Sequence, residues 1–103
     1  MAPMKSQGEE SGALFDALES RGWMWEGEHL YPPNRTFWTQ GTRGHKTPPG
    51  MLLNMHRTTK AALESNRASR PAHWSAEQHR DWMSDMESLV DALESLLEKE
   101  GML

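Results

Sequence analysis

A chain of 103 residues supports one domain with a modest core, burying roughly 60–70% of the surface its unfolded form exposes. It has no cysteine, which excludes disulfides and thiolate metal sites. Its net charge of −4 divides unevenly. Residues 1–30 carry two basic against six acidic groups, residues 31–80 eight against two, and residues 81–103 one against seven. A basic middle between acidic ends has two readings. The parts neutralise one another in the fold, or the middle offers a basic face to nucleic acid or to an acidic partner.

Residues 1–8 read as a flexible tail, without the basic start and apolar run of a signal peptide. No stretch approaches the roughly 18–20 apolar residues of a membrane span, so a cytoplasmic protein is expected. One α+β domain is expected over residues 9–100, with residues 101–103 as a frayed end. A first helix is expected from about Glu9 to Ser20, with Ala13, Leu14, Ala17 and Leu18 as its apolar stripe. Gly22 suits the left-handed position that stops it, and Trp23 the apolar residue that folds back.

Residues 21–40, RGWMWEGEHLYPPNRTFWTQ, hold three of the five tryptophans, the only tyrosine and one of the two phenylalanines. Turn residues cut this run into pieces. EGE is a turn around Gly27. PPN is a second, with Pro33 at i+1 and Asn34 tolerating the left-handed region at i+2. WMW, HLY and RTFWT then form a three-stranded antiparallel meander. Trp23, Trp25, Leu30 and either Phe37 or Trp38 make its buried face. The other face keeps Met24, His29, Tyr31 and the remaining ring. The aromatic run is thus mainly a core device.

QGTRGHKTPPG, residues 40–50, is a loop. It lacks the glycine directly before the lysine that a phosphate-binding loop requires. A second helix should start near Pro48 or Pro49 with Thr47 as cap, carry Met51, Leu52, Met55, Thr59, Ala62 and Leu63 inward, and end near Asn66. The last helix follows a capping box at Ser75–Gln78 with Trp74 as staple. Its apolar rows are Trp82, Met86, Leu89, Leu93 and Leu96, and Met83, Val90 and Leu97. Asp81 and Asp85 lie one turn apart and read as a solvated face. The tetrapeptide ALES recurs at Ala17, Ala62 and Ala92 without a fixed period, as shared helix vocabulary.

No catalytic constellation emerges. The five histidines (His29, His45, His56, His73 and His79) lack the i, i+4 spacing of a zinc-binding helix. No metal, cofactor or enzymatic activity is therefore expected. No motif carries a family resemblance, and the size and composition suit a small bacterial or phage protein. The leading expectation is a non-catalytic interaction or assembly module with an unidentified protein partner or a second copy of itself. Its surface would comprise Tyr31, Arg35 and Trp38 on the sheet, and Trp82, Met83, Met86, Val90 and Leu97 on the wide apolar face of the last helix. The alternative is a nucleic-acid-binding accessory protein, with contacts from Arg43, Lys46, Arg57, Lys60, Arg67 and Arg70 and base stacking on Tyr31 and Trp38.

Overall fold

The computed structural model describes residues 13–40 and 47–103. Among them the order is helix α1 (13–19), strands β1 (Met24–Glu26), β2 (His29–Tyr31) and β3 (Thr39–Gln40), then helices α2 (Pro49–Ala68) and α3 (Ala76–Lys99). This is the α+β arrangement that the sequence predicts. The tail over residues 1–8, the first turn expected at Glu9 and the basic loop residues Arg43 and Lys46 lie outside the described residues.

Helix α1 ends as its sequence dictates. Gly22 takes φ +93°, its N–H donates to the Glu19 carbonyl, and the Trp23 N–H reaches back to Leu18. This bond pair satisfies carbonyls the helix end would otherwise orphan. It also turns the chain so that Trp23 enters the core, where its indole N–H donates to Ser88 Oγ at 2.9 Å. A Cβ on Gly22 would meet only Pro33 Cγ at 3.5 Å, an ordinary contact. The cost of a side chain there is therefore conformational. Gly22→Ala is expected to lower stability by about 1–2 kcal/mol, measured by urea denaturation. An unchanged midpoint would show that this turn tolerates an ordinary residue.

Strands β1 and β2 form an antiparallel hairpin pairing Met24 with Tyr31, Trp25 with Leu30 and Glu26 with His29. Gly27 at φ +61° opens its two-residue turn, while Glu28 stays at negative φ. That is the pattern of a type II′ turn, whose twist matches the strands it joins.

The full third strand expected over Arg35–Thr39 is not formed. Only Thr39 and Gln40 come alongside β2, opposite Leu30 and His29. Pro32 and Pro33 carry no N–H to donate to a ladder. The amides of Asn34 and Thr36 are drawn away to the carboxylate of Asp85 on α3. The turn itself falls where expected, with the Arg35 N–H donating to the Pro32 carbonyl at 2.9 Å. Its left-handed residue, however, is Arg35 at φ 56° and not Asn34.

Helices α2 and α3 pack as an antiparallel pair. His56 meets Glu94 near one end of the pair and Asn66 meets His79 near the other, in opposite chain order. Pro48 is the N-cap of α2 and no side chain caps it, so Thr47 does not take that role. The inward stripe of α2 runs Leu52, His56 and Leu63, with Thr59 half-buried beside them. Met51, expected inside, is 52% exposed. Helix α3 carries the expected capping box: Gln78 N–H donates to Ser75 Oγ at 3.0 Å and Ser75 N–H to Gln78 Oε1 at 2.9 Å. Trp74 packs on Trp82, two turns into the helix, at 5.5 Å between ring centroids.

The core lies where α1, the inner face of the hairpin and α3 meet. Leu14, Phe15, Leu18, Trp23, Leu30 and Leu93 belong to one buried cluster there. Phe15 meets Trp25 edge-on at 5.3 Å, and Trp23 meets Phe37 at 5.7 Å. These edge-to-face pairs add about 0.5–1.5 kcal/mol each beyond their buried area. Phe37, not Trp38, is the ring that turns inward.

Candidate interaction surface

Pairing register decides which side chains face out. Trp25 and Leu30 point to the helices, so their neighbours Met24, Glu26, His29 and Tyr31 point the other way. Trp38 joins them from the segment before β3. His29 stacks on Trp38 at 5.2 Å and on Tyr31 at 6.3 Å, and Tyr31 lies 5.9 Å from Trp38. Three rings thus form a contiguous aromatic platform. Met24 at its margin is 68% exposed and Trp38 is 53% exposed. The long helix does not cover this face, because it packs on the opposite one.

The platform is held laterally by Arg35. Its guanidinium sits 4.2 Å from the centre of the Tyr31 ring and pairs with Glu26 at 2.7 Å. The left-handed backbone of Arg35 costs roughly 1–2 kcal/mol. Hydrogen bonds on either side hold it there. Asn34 donates its backbone N–H and its side-chain amide to Asp85 Oδ1, both at 3.1 Å. Thr36 donates its hydroxyl to Oδ2 at 2.8 Å and its N–H at 3.3 Å. Alternating handedness at successive residues makes a concave set of amides that suits an anion. Asp85 fills it from α3 while only 1% exposed. Asp85 is therefore a buried anchor and not part of a solvated face, a correction to the sequence reading. The signal was available: Asp85 stands three residues after Trp82 and four before Leu89, on the apolar stripe itself.

Beside this clasp, between the 34–36 turn and the start of α3, lies a cleft of about 320 Å³. Trp74, Trp82, Gln78, Asp81 and Arg35 line it. Asp81 makes no hydrogen bond or ion pair with another described residue. Trp74 and Asp81 were not among the sequence candidates. Among the described residues, no three His, Asp or Glu side chains group as metal ligands would.

The sequence candidates separate into distinct sets. Tyr31, Arg35 and Trp38 come together on the outer sheet face, with Met24 and His29 completing it. Met86, Val90 and Leu97 are buried inside the chain and cannot be an interaction surface; they pack the sheet and α2. Trp82 and Met83 are half-buried around Leu63, Met86 and Val90. Of the basic residues, Arg67 pairs with Glu87 at 3.1 Å, which neutralises part of the acidic helix. Arg57, Lys60 and Arg70 are exposed, and Arg43 and Lys46 lie outside the described residues. No helix is long and apolar enough to cross a membrane among the described residues. Comparison with protein-family models, with curated proteins and with solved structures returned no match, so the residues alone carry the functional reading.

Proposed function

We propose that this protein is a non-catalytic interaction module that binds another protein chain through the outer face of its hairpin. The observation that carries this reading is the platform of His29, Tyr31 and Trp38 with Met24. It turns aromatic and sulfur-bearing side chains to solvent, while Phe15, Trp23, Trp25 and Phe37 pack in or against the core. Aromatic residues, methionine and arginine are the types enriched at protein contacts. The rings are rigid, so little side-chain entropy is lost when a partner covers them.

Two observations favour a protein over a nucleic acid at this face. The hairpin tip brings Glu26 and Glu28, and the charge of Arg35 is already met by Glu26 at 2.7 Å. Among the described residues, a phosphate chain would meet two carboxylates and one neutralised guanidinium at this face, and not the uncompensated cations that dominate such affinity. The nucleic-acid reading keeps one specific support. Exposed Tyr31 and Trp38 on an open sheet suit base stacking, worth about 1–3 kcal/mol per base.

A second copy of the chain is the partner to test first, because the face is apolar at its centre and carries both charge signs at its rim. The wild type is expected to exceed 11.8 kDa in solution at micromolar concentration. Trp38→Ala and Tyr31→Ala are expected to return it to that mass with circular dichroism unchanged. If the wild type is a monomer, the same variants must abolish capture of a defined protein that the wild type retains. A monomeric wild type with no variant-sensitive partner would overturn the proposal. Salt-dependent quenching of tryptophan fluorescence by single-stranded oligonucleotide, lost in Trp38→Ala, would establish the alternative.

A further inference from the structure

We infer that the cleft between the 34–36 turn and the start of α3 is a binding site for a methylated ammonium group. This inference is independent of the outer sheet face. Two carboxylates stand one turn apart on the same side of α3, at positions 81 and 85. The four donors of Asn34 and Thr36 occupy Asp85 and pin the turn against the helix. Asp81 is left half-buried, lining the space that this clasp creates, without a partner among the described residues. An unpaired carboxylate beside apolar walls calls for a cation.

The walls define which cation. Trp74 and Trp82 both line the cleft, 5.5 Å apart and inclined at 57°, so they meet as a corner and not as a closed stack. The negative faces of indoles attract cations, and most strongly those that shed water readily. A methylated ammonium spreads its charge over methyl groups that pack on the rings. A bare ammonium keeps a tight hydration shell that two indoles do not replace. The volume, about 320 Å³, is at the small end of ligand sites and suits one such head group with its first methylenes. Arg35 lines the same cleft, but its charge is committed to Glu26 and to the Tyr31 ring.

The corner is built from the sequence upward. The capping box at Ser75 and Gln78 fixes where α3 begins, and thereby places Trp74 just outside the helix and Trp82 two turns in. The Asn66 carbonyl accepts from His79 at 2.7 Å and ties this end to α2. The site is therefore largely formed before any ligand arrives, which lowers the entropy lost on binding.

The test is a titration of the full chain, followed through the indole N–H resonances of Trp74 and Trp82. The probes are choline and its neutral isostere 3,3-dimethylbutan-1-ol at matched ionic strength. Choline is expected to shift both resonances saturably, and the isostere to leave them in place. Asp81→Asn, a half-buried position with no hydrogen bond to lose, is expected to weaken choline binding on the order of tenfold. A peptide bearing trimethyllysine, compared with its unmodified form, separates the sources of the group. Tighter binding of that peptide than of choline identifies a protein side chain, and the reverse a free small molecule. Equal response to choline and to the isostere, or an unchanged affinity in Asp81→Asn, would overturn the inference. If Asp81→Asn fails to fold, the choline–isostere comparison decides alone.

Discussion

Replacing Asp85 with alanine is expected to destabilise the protein by about 3–5 kcal/mol, among the largest effects of any single change. The carboxylate accepts four hydrogen bonds from a single turn, and all four partners are donors. Removing it leaves two backbone amides, an amide side chain and a hydroxyl facing a hole. An unsatisfied buried polar group costs roughly 1–3 kcal/mol, discounted here because water enters some of the vacated space. The strained left-handed Arg35 also loses the bonds that hold it. Asp85→Asn keeps one acceptor oxygen but turns an N–H₂ toward donors, so its expected cost is smaller, about 2–3 kcal/mol. Thr36→Val and Asn34→Ala each remove one side-chain donor and leave the carboxylate its remaining bonds. Each is expected to cost about 1–2 kcal/mol. Equilibrium denaturation of the four variants checks the order Ala, then Asn, then the two donor changes. A cost below about 1 kcal/mol for Asp85→Ala would mean that the turn and the helix are not coupled. Total stability for a domain of this kind is roughly 5–15 kcal/mol, so the alanine variant approaches the limit of folding.

The same residue shows why part of the architecture was legible in the sequence and part was not. Features written in local chemistry are found where expected: the Gly22 helix stop, the Gly27 turn, the capping box at Ser75 and the alternation that sends Trp23 in and Met24 out. Each depends on backbone preferences within a few residues. The missed features depend on contacts between distant segments. Asp85 is 51 residues from Asn34, and no local rule says that an aspartate on an apolar stripe will meet a turn of free amides. That contact takes the Thr36 amide from the expected third strand, so one unforeseen partner bears on both the buried aspartate and the missing strand. His56 follows the same logic: it lies four residues after Leu52 on the inner stripe of α2 and is accommodated by Glu94 at 3.0 Å. The outer face was legible because a period of two fixes it. The cleft was not, because its other wall is the 34–36 turn, which only the distant contact with Asp85 brings beside Trp74 and Trp82.

Leu97→Ala is the second change expected to have a large effect, and it separates two roles for the last helix. The width of the apolar face of α3 suggests a spare surface for a partner. In the structure Leu97 is fully buried, in one cluster with Leu14, Leu18, Trp23 and Leu93. Truncating a buried leucine removes its transfer free energy and leaves a cavity, together about 2–5 kcal/mol. The upper half of that range is expected here, because Leu97 is fully buried in a cluster to which α1, the hairpin and α3 all contribute. Trp38→Ala is expected to lie within about 1 kcal/mol of wild type, since a ring 53% exposed loses little on truncation. The pair therefore gives opposite patterns. Leu97→Ala lowers the denaturation midpoint and spares association once temperature or denaturant is adjusted to keep it folded, while Trp38→Ala keeps the midpoint and removes association. Stability measured by urea unfolding, alongside solution mass at matched folded fraction, reads both. If Leu97→Ala left stability intact and changed the solution mass, α3 would be the contact surface and the outer sheet face would not.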